Sequence, residues 1–453
     1  MSLFHDSGVR DHTTILLGAG ASAGSGLPDW NTLARNLLTG SGSVADDATA
    51  NLLVKEQDPL LAVQAARVAY GDQWEPQIRK TLYRGVHGEQ PSSLHLAAVG
   101  HLLNGNGTDT SLATLNFDVL LERAIRNETG TVAYSAADGH ATKHRYRVDH
   151  LHGVASRLKS NAVVLTLSDF TELIANPRSW QLDYLSRAVS RGALIIAGTS
   201  YRDPDLRQWL HAAIDEHSST NGALVMLARE GFGLTKQQFI GVERALGDQW
   251  RAIGLQSILL QDHSDAAQII RELRHVGNAN YESPQERARS VWAAHAAEFD
   301  RLQASYANQL DSDANGLADA LGTTRLNLSL WLANGEGTLA RWASHDRLHR
   351  KVDSLSTVET GHDSPSFAGK ALSAEGLLIH DLDATSARQW RSVLSLTIGV
   401  PHPELPALQT AALTVGLPGE AAAYASSRSD WGQRMMEIAE EWGDRLAEAT
   451  YGS

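Results

Sequence analysis

The chain has 453 residues, 42% of them hydrophobic and 20% charged, which fits two or three ordinary globular domains of roughly 150 residues and excludes a disordered or fibrous polymer. Formal charge is −13 from 39 Lys and Arg against 52 Asp and Glu, so nonspecific attraction to nucleic acid is not expected; cysteine is absent, which removes disulfides, thiol nucleophiles and thiolate zinc sites. No apolar stretch approaches the roughly 20 residues needed to span a bilayer, and the opening MSLFHDSGVRDHTT lacks the regions of a signal peptide, so the expected compartment is the cytoplasm.

Residues 1–280 alternate short apolar runs with longer amphipathic stretches, the pattern of a parallel sheet covered by helices. In chain order the strand candidates are 13–17, running into a glycine cluster, 111–115, running into Asn116, then 162–167, 193–197, running into Gly198, 223–227 and 257–260. A helix over 265–273 would close this region. Ligands of open α/β sheets collect at the carboxyl ends of strands, so Gly18, Asn116 and Gly198 are expected to share a site. From 284 to 302 the chain is strongly helical, with Val291, Phe299 and Leu302 spaced for one apolar face, as in a connector or dimer helix. Beyond Gly316 come a helical stretch, strand candidates at 376–379, 392–398 and 411–415, and a terminal helix over 431–447, an α+β order. The expected division is 1–280, a helical connector 281–316, and 317–453. Net charge is −4 in 1–280 and −9 in the remainder, so acidity concentrates in the second part.

Four segments carry the chemistry. Gly18-Ala19-Gly20-Ala21-Ser22-Ala23-Gly24-Ser25-Gly26-Leu27-Pro28 lies between the first strand and a helical run at 30–38. Glycines let backbone amides approach a phosphate, and a following helix N-terminus adds favourable partial charge. No Lys follows the last glycine, so it is not a P-loop. Asn116 and Asp118 precede Val119-Leu120-Leu121-Glu122 and suit helix capping as well as ligand binding. His152, between Leu151 and Gly153, could accept a proton or orient water near neutral pH. His150 is its competitor, since strand geometry would put both on one face. Asp203-Pro204-Asp205 is read as a turn and helix cap rather than a carboxylate dyad.

Taken in order, the glycine segment, Thr114-Leu115-Asn116-Phe117-Asp118, Leu151-His152-Gly153 and Gly198-Thr199-Ser200 resemble the NAD loop, the TxNxD and LHG segments and the adenosine-side loop of the sirtuin-like superfamily. The resemblance spans about residues 10–278 and is nearest the bacterial branch found in antiviral defence. Pro28-Asp29-Trp30-Asn31, Leu167-Ser168-Asp169-Phe170 and Ser200-Tyr201-Arg202-Asp203-Pro204-Asp205-Leu206 look like that branch, whereas deacetylases have Phe-Arg after the apolar-Pro pair and carry a four-cysteine zinc ribbon. The implied fold is a sirtuin-like Rossmann-type parallel sheet. The implied substrate is NAD, with no metal, bound by Gly18, Ala19, Gly20, Ala21, Ser22, Gly26, Pro28, Asn116, Asp118, Gly198, Thr199 and Ser200. Asn116 would hold the nicotinamide ribose and attacking water, His152 would face the ribose hydroxyls, and Asp118 would serve the catalytic loop, with capping an equal explanation.

The resemblance thus implies an NAD glycohydrolase releasing nicotinamide and ADP-ribose, acting by NAD depletion during phage infection. A protein deacylase or ADP-ribosyltransferase, and a silent nucleotide sensor or scaffold, are the alternatives. In the second half, Gly369-Lys370-Ala371, Gly376-Leu377-Leu378-Ile379-His380-Asp381, Arg391 through Ile398, and Ala411 through Val415 with Gly416 loosely resemble a GAF-like ligand-sensing domain. Such domains place a sheet behind a small-molecule pocket; dimerisation alone is the competing role. The expected partners are further copies of the chain and an activating protein or small-molecule ligand at the C-terminal domain, with no membrane and no direct nucleic-acid contact.

Overall fold

The structure, a computed structural model, describes residues 12–85, 89–105, 109–140, 142–176, 179–199, 204–216, 222–383 and 389–452. The chain forms two compact units, Met1–Ile270 and Arg271–Ser453. Among the described residues no helix is long and apolar enough to cross a membrane.

In the first unit, β1 (Thr13–Leu17), β2 (Thr110–Thr114), β3 (Tyr134–Ala136) and β4 (Arg147–His150) precede a short pair, β5 (Val154–Ala155) and β6 (Ser160–Asn161). They are followed by β7 (Ala193–Ala197), β8 (Ala223–Ala228) and β9 (Gln256–Leu260). Seven strands make one sheet in the order β3-β4-β2-β1-β7-β8-β9, and every pairing is parallel. Strands covered on both faces need apolar side chains both ways, and β7 and β8 are buried at every position. Leu16, Leu194, Ile196 and Val225 pack with Leu185, Trp209, Leu210 and Trp250 from the helices Trp180–Arg191, Pro204–Glu216 and Lys236–Arg251.

Between β1 and β2 lies a helical module with its own core. Its helix Trp30–Gly40 starts at Asp29, whose side chain accepts from Thr32 N, and buries Leu33, Ala34, Leu37 and Leu38 on one stripe. The expected strand at 162–167 does not form. Ala162 has φ 51°, which breaks an extended run, and Thr166 then caps the helix Leu167–Ala175.

The second unit is an antiparallel sheet backed by helices. The helices Pro284–Ala297 and Phe299–Leu321 lead into β10 (Asn327–Ala333), β11 (Thr338–Ser344) and β12 (Thr357–Glu359), then β13 (Leu378–Asp381), β14 (Ser392–Val400) and β15 (Leu408–Leu417). The strand order is β12-β11-β10-β15-β14-β13. The segment expected as a connector is part of this unit's core: Val291, Phe299 and Leu302 are buried with Leu328, Leu330 and Trp342 of the sheet and Trp431 and Trp442 of the helix Arg428–Tyr451. Gly316 does not end a helix either; the helix runs on to Leu321 and stops where Gly322 takes φ 64°, a conformation glycine adopts freely.

Candidate functional site

β1 is central in its sheet, with β2 on one side and β7 on the other, so the loops leaving these three strands meet at the carboxyl edge of the sheet, where ligands of open α/β sheets collect. The glycine segment is not a plain turn but a short helix, Ala19–Ala23, pressed against the loop after β7. Gly18 N donates to Ala197 O at 2.9 Å and Gly20 N to Gly198 O at 2.6 Å. A Cβ on Gly18 would lie 2.5 Å from Thr199 Cα, and one on Gly198, itself at φ 68°, 2.9 Å from Ala21 N. Ala21, Ser22 and Thr199 are buried and Ala19 half-buried. Gly26 is exposed in a φ 79° turn and Pro28 half-buried; neither joins this contact. Ser200 lies outside the described residues.

Asn116 is held on several sides. Its backbone N donates to Thr114 Oγ1 at 2.9 Å, and its side-chain Nδ2 donates to Gly18 O at 2.9 Å and to Ser22 Oγ at 2.7 Å. Its Oδ1 has no hydrogen-bond partner among the described residues. Ser22 Oγ in turn donates to Asp118 Oδ2 at 2.7 Å, while Asp118 Oδ1 accepts from Leu120 N at 3.0 Å. Asp118 therefore does both structural jobs considered for it, fixing the glycine segment and closing the first turn before the helix Leu120–Thr129.

The two histidines part company. Thr114 of β2 is in register with His150 of β4, so Asn116 and His152 each lie two residues beyond that pair, on neighbouring loops. β4 ends at His150, and a turn through Gly153 at φ 84° follows, which cancels the alternation that would have put both rings on one face. His150 is fully buried; its Nδ1 faces Asn116 O at 3.0 Å and its Nε2 faces Glu122 Oε1 at 2.7 Å. His152 Nε2 faces Asp205 Oδ2 at 2.5 Å, and its ring leans on Trp209 at 5.9 Å between centroids. Burial works against ionising Asp205, but the charge and hydrogen bond of His152 outweigh it and hold the carboxyl below its ordinary range.

Three participants escaped the sequence reading. Asp205 reads from the sequence as a cap, and its Oδ1 does accept from Leu206 N at 2.9 Å, but its Oδ2 is the partner of His152. An acidic residue in the first turn after a buried strand was the available signal. Glu122, one turn into the helix after Asp118, is buried and carries no motif. His263 stands where a Gly20 Cβ would go, 2.5 Å from its Nε2, and nothing in the sequence links two positions so far apart.

Residues 110–257 match the family model of the SIR2-like domain. Among solved structures, a crystal structure of Sir2 in complex with the inhibitor EX-527, 2′-O-acetyl-ADP-ribose and deacetylated p53 peptide is similar at 16% identity over 61% of this chain and 96% of that one, with TM-score 0.28. A second, described as a structural basis for the mechanism and regulation of Sir2 enzymes, is similar at 15% identity over 60% of this chain and 96% of that one, with TM-score 0.29. No curated protein matches the chain.

Proposed function

We propose that the first unit is an NAD glycohydrolase that cleaves NAD to nicotinamide and ADP-ribose. The observation that carries the reading is a carboxylate-bound histidine, His152 with Asp205, on the loop neighbouring that of an asparagine whose Nδ2 is fixed by Gly18 and Ser22, all within the SIR2-like match or hydrogen-bonded to it. Nicotinamide is a cationic substituent in NAD and leaves as a neutral base, so the step needs placement, ribose polarisation and a water more than a strong nucleophile. Asn116 Oδ1 accepts from a ribose hydroxyl or from the water. As the C1′–N bond breaks, the water oxygen bonds C1′ and its proton passes to His152, whose imidazolium is countered by Asp205. The Gly18–Ser22 segment and the Gly198–Thr199 turn are the assigned walls for the dinucleotide.

Two coarser features support the wider reading. The resemblance of the Trp30 and Ser168-Asp169-Phe170 segments to bacterial defence proteins supports NAD depletion during phage infection as the biological role. The second unit, an antiparallel sheet with its own core, supports a regulatory or dimerising domain of GAF-like kind. Purified protein incubated with NAD, alone and with candidate activators, tests the activity by chromatography. Nicotinamide and ADP-ribose in equal amounts are expected. Acyl transfer from an acylated peptide, or ADP-ribose attached to protein, would replace this reading by the deacylase or transferase alternative.

A further inference from the structure

The polar groups beneath Asn116 form a chain the proposed reaction does not use directly. His150 is fully buried and its two ring nitrogens face two groups that only accept: the Asn116 carbonyl at 3.0 Å and the Glu122 carboxylate at 2.7 Å. A neutral imidazole has one N–H and can satisfy one of them. With Glu122 ionised, satisfying both requires the doubly protonated ring, which a buried site tolerates when an opposite charge touches it. Glu122 supplies that charge and is itself steadied by Ser135 Oγ, which donates to Oε1 at 2.5 Å.

We infer that Glu122 and His150 are positioning residues for Asn116: the buried ion pair keeps an N–H on Nδ1 of His150, and that N–H fixes the Asn116 carbonyl and with it the direction of the reactive amide. The inference rests on the reading of Asn116 as the residue that orients ribose and water. Burial alone would push the His150 ring towards neutrality and Glu122 towards protonation, but their mutual attraction and hydrogen bond reverse both, raising His150 and lowering Glu122 from their ordinary values. The other groups nearby act in the same sense or are neutral: Asp118 favours the His150 cation, Asp149 beside it on β4 is kept from ionising easily by its own burial, and His95, lowered by burial, and Tyr83, raised by it, carry no charge near neutral pH. The pair is therefore intact from below the ordinary Glu range to above the ordinary His range, and it is lost as pH rises through the raised His150 value.

Three variants of the full chain separate positioning from simple packing. Glu122→Gln keeps the shape but removes the charge that holds the second proton. His150→Phe removes both donors, and His150→Asn restores one, because an Asn Nδ2 can stand where the imidazole Nδ1 stood. The expected result is a kcat roughly tenfold or more below wild type for the first two, a KM for NAD changed much less, and recovery of most of kcat in His150→Asn. In Glu122→Gln the alkaline fall of kcat should move to lower pH. The side-chain amide signal of Asn116, followed by NMR with labelled asparagine, should shift in Glu122→Gln and His150→Phe and return towards wild type in His150→Asn. Wild-type kcat, pH profile and Asn116 signal in folded Glu122→Gln would overturn the inference. If wild-type protein releases no nicotinamide, the activity reading fails by itself, and the Asn116 signal still decides the positioning role: unchanged in all three variants, it is refuted.

Discussion

The two units solve the placement of polar groups in opposite ways. In the parallel sheet of the first unit β7 and β8 are apolar on both faces, and polar side chains gather where strands end: Asn116 after β2, His150 at the end of β4 and His152 beyond it, Thr199 and Asp205 after β7. In the antiparallel sheet of the second unit one face is apolar and the other takes hydroxyls along the strand length. Leu328, Leu330, Leu394, Leu396, Leu413 and Val415 enter the core, while Ser329, Thr414 and Ser395 fall on one cross-strand row of the other face. The first arrangement gathers reactive groups at one edge of the sheet; the second spreads them over a surface. Chemistry that needs several groups at one point therefore belongs to the first unit.

The sharpest way to break this contrast is Asn116→Ala. Turnover of NAD should fall by roughly 100-fold or more, with a stability cost of about 1–3 kcal/mol from the two lost Nδ2 hydrogen bonds to Gly18 O and Ser22 Oγ. Wild-type turnover in this variant would move the site elsewhere. Next in size is Asp205→Asn, expected to cost about tenfold or more in kcat and less than His152→Ala. It carries a stability signature as well. Because the folded carboxyl is lowered, its contribution is fully present above the ordinary Asp value and lost as pH falls through the folded one, so wild-type protein should lose stability in acid more steeply than Asp205→Asn. Parallel acid denaturation curves for the two proteins would show the His152–Asp205 contact to be unformed in solution.

Smaller effects sharpen the comparison. Gly20→Val forces a side chain onto the His263 ring and should destabilise by about 1–3 kcal/mol while weakening NAD binding, readable by calorimetry; unchanged affinity would remove the glycine segment from the site. Trp442→Phe in the second unit strips the donor from Trp442 Nε1, which is 2.8 Å from the buried Asp313 Oδ2. The expected cost is about 1–3 kcal/mol in thermal unfolding, with NAD turnover by the folded protein near wild type. A large loss of turnover there would mean that the second unit governs the reaction even without a ligand. At the low end, Arg187→Ala breaks an exposed pair with Asp183 and should change stability by about 0–0.5 kcal/mol.

What could be read from the sequence followed the same physics. β1, β2, β7 and β8 were legible because buried parallel strands are runs of apolar residues bounded by turns, and β9, a partly exposed edge strand, by its run Ile258-Leu259-Leu260. β4 was not: Arg147-Val148-Asp149-His150 reads as polar, and only the fold shows that Arg147 and Asp149 bond each other at 2.8 Å while His150 meets Glu122. β10 alternates Leu328, Leu330 and Leu332 with Ser329 and Trp331, a period-two signal hidden behind the expectation that the helix resumes beyond Gly316. At the site, Asn116, His152 and the glycines announced themselves by short motifs. Asp205 and Glu122 did not, because each is a common residue in the first turns of a helix and acquires its meaning from a partner 53 or 28 positions away. Local pattern carries no record of such pairings.

The close contact between the loops after β1 and β7 sets how freely this protein can vary. At positions 18, 20, 153 and 198 an added methyl group would sit within 3 Å of backbone or of the His263 ring, the tightest being 2.1 Å at Gly153 against Ala162 O. Position 26 is different: no atom lies within 4 Å of a Cβ there, and the backbone alone, at φ 79°, disfavours a side chain. In a library randomised at these five codons and selected for folding, the first four should return almost only glycine, whereas position 26 should also admit asparagine and aspartate, which tolerate left-handed backbone. Such a profile would mark these loops as a place where backbone shape is inherited and side-chain identity is nearly silent.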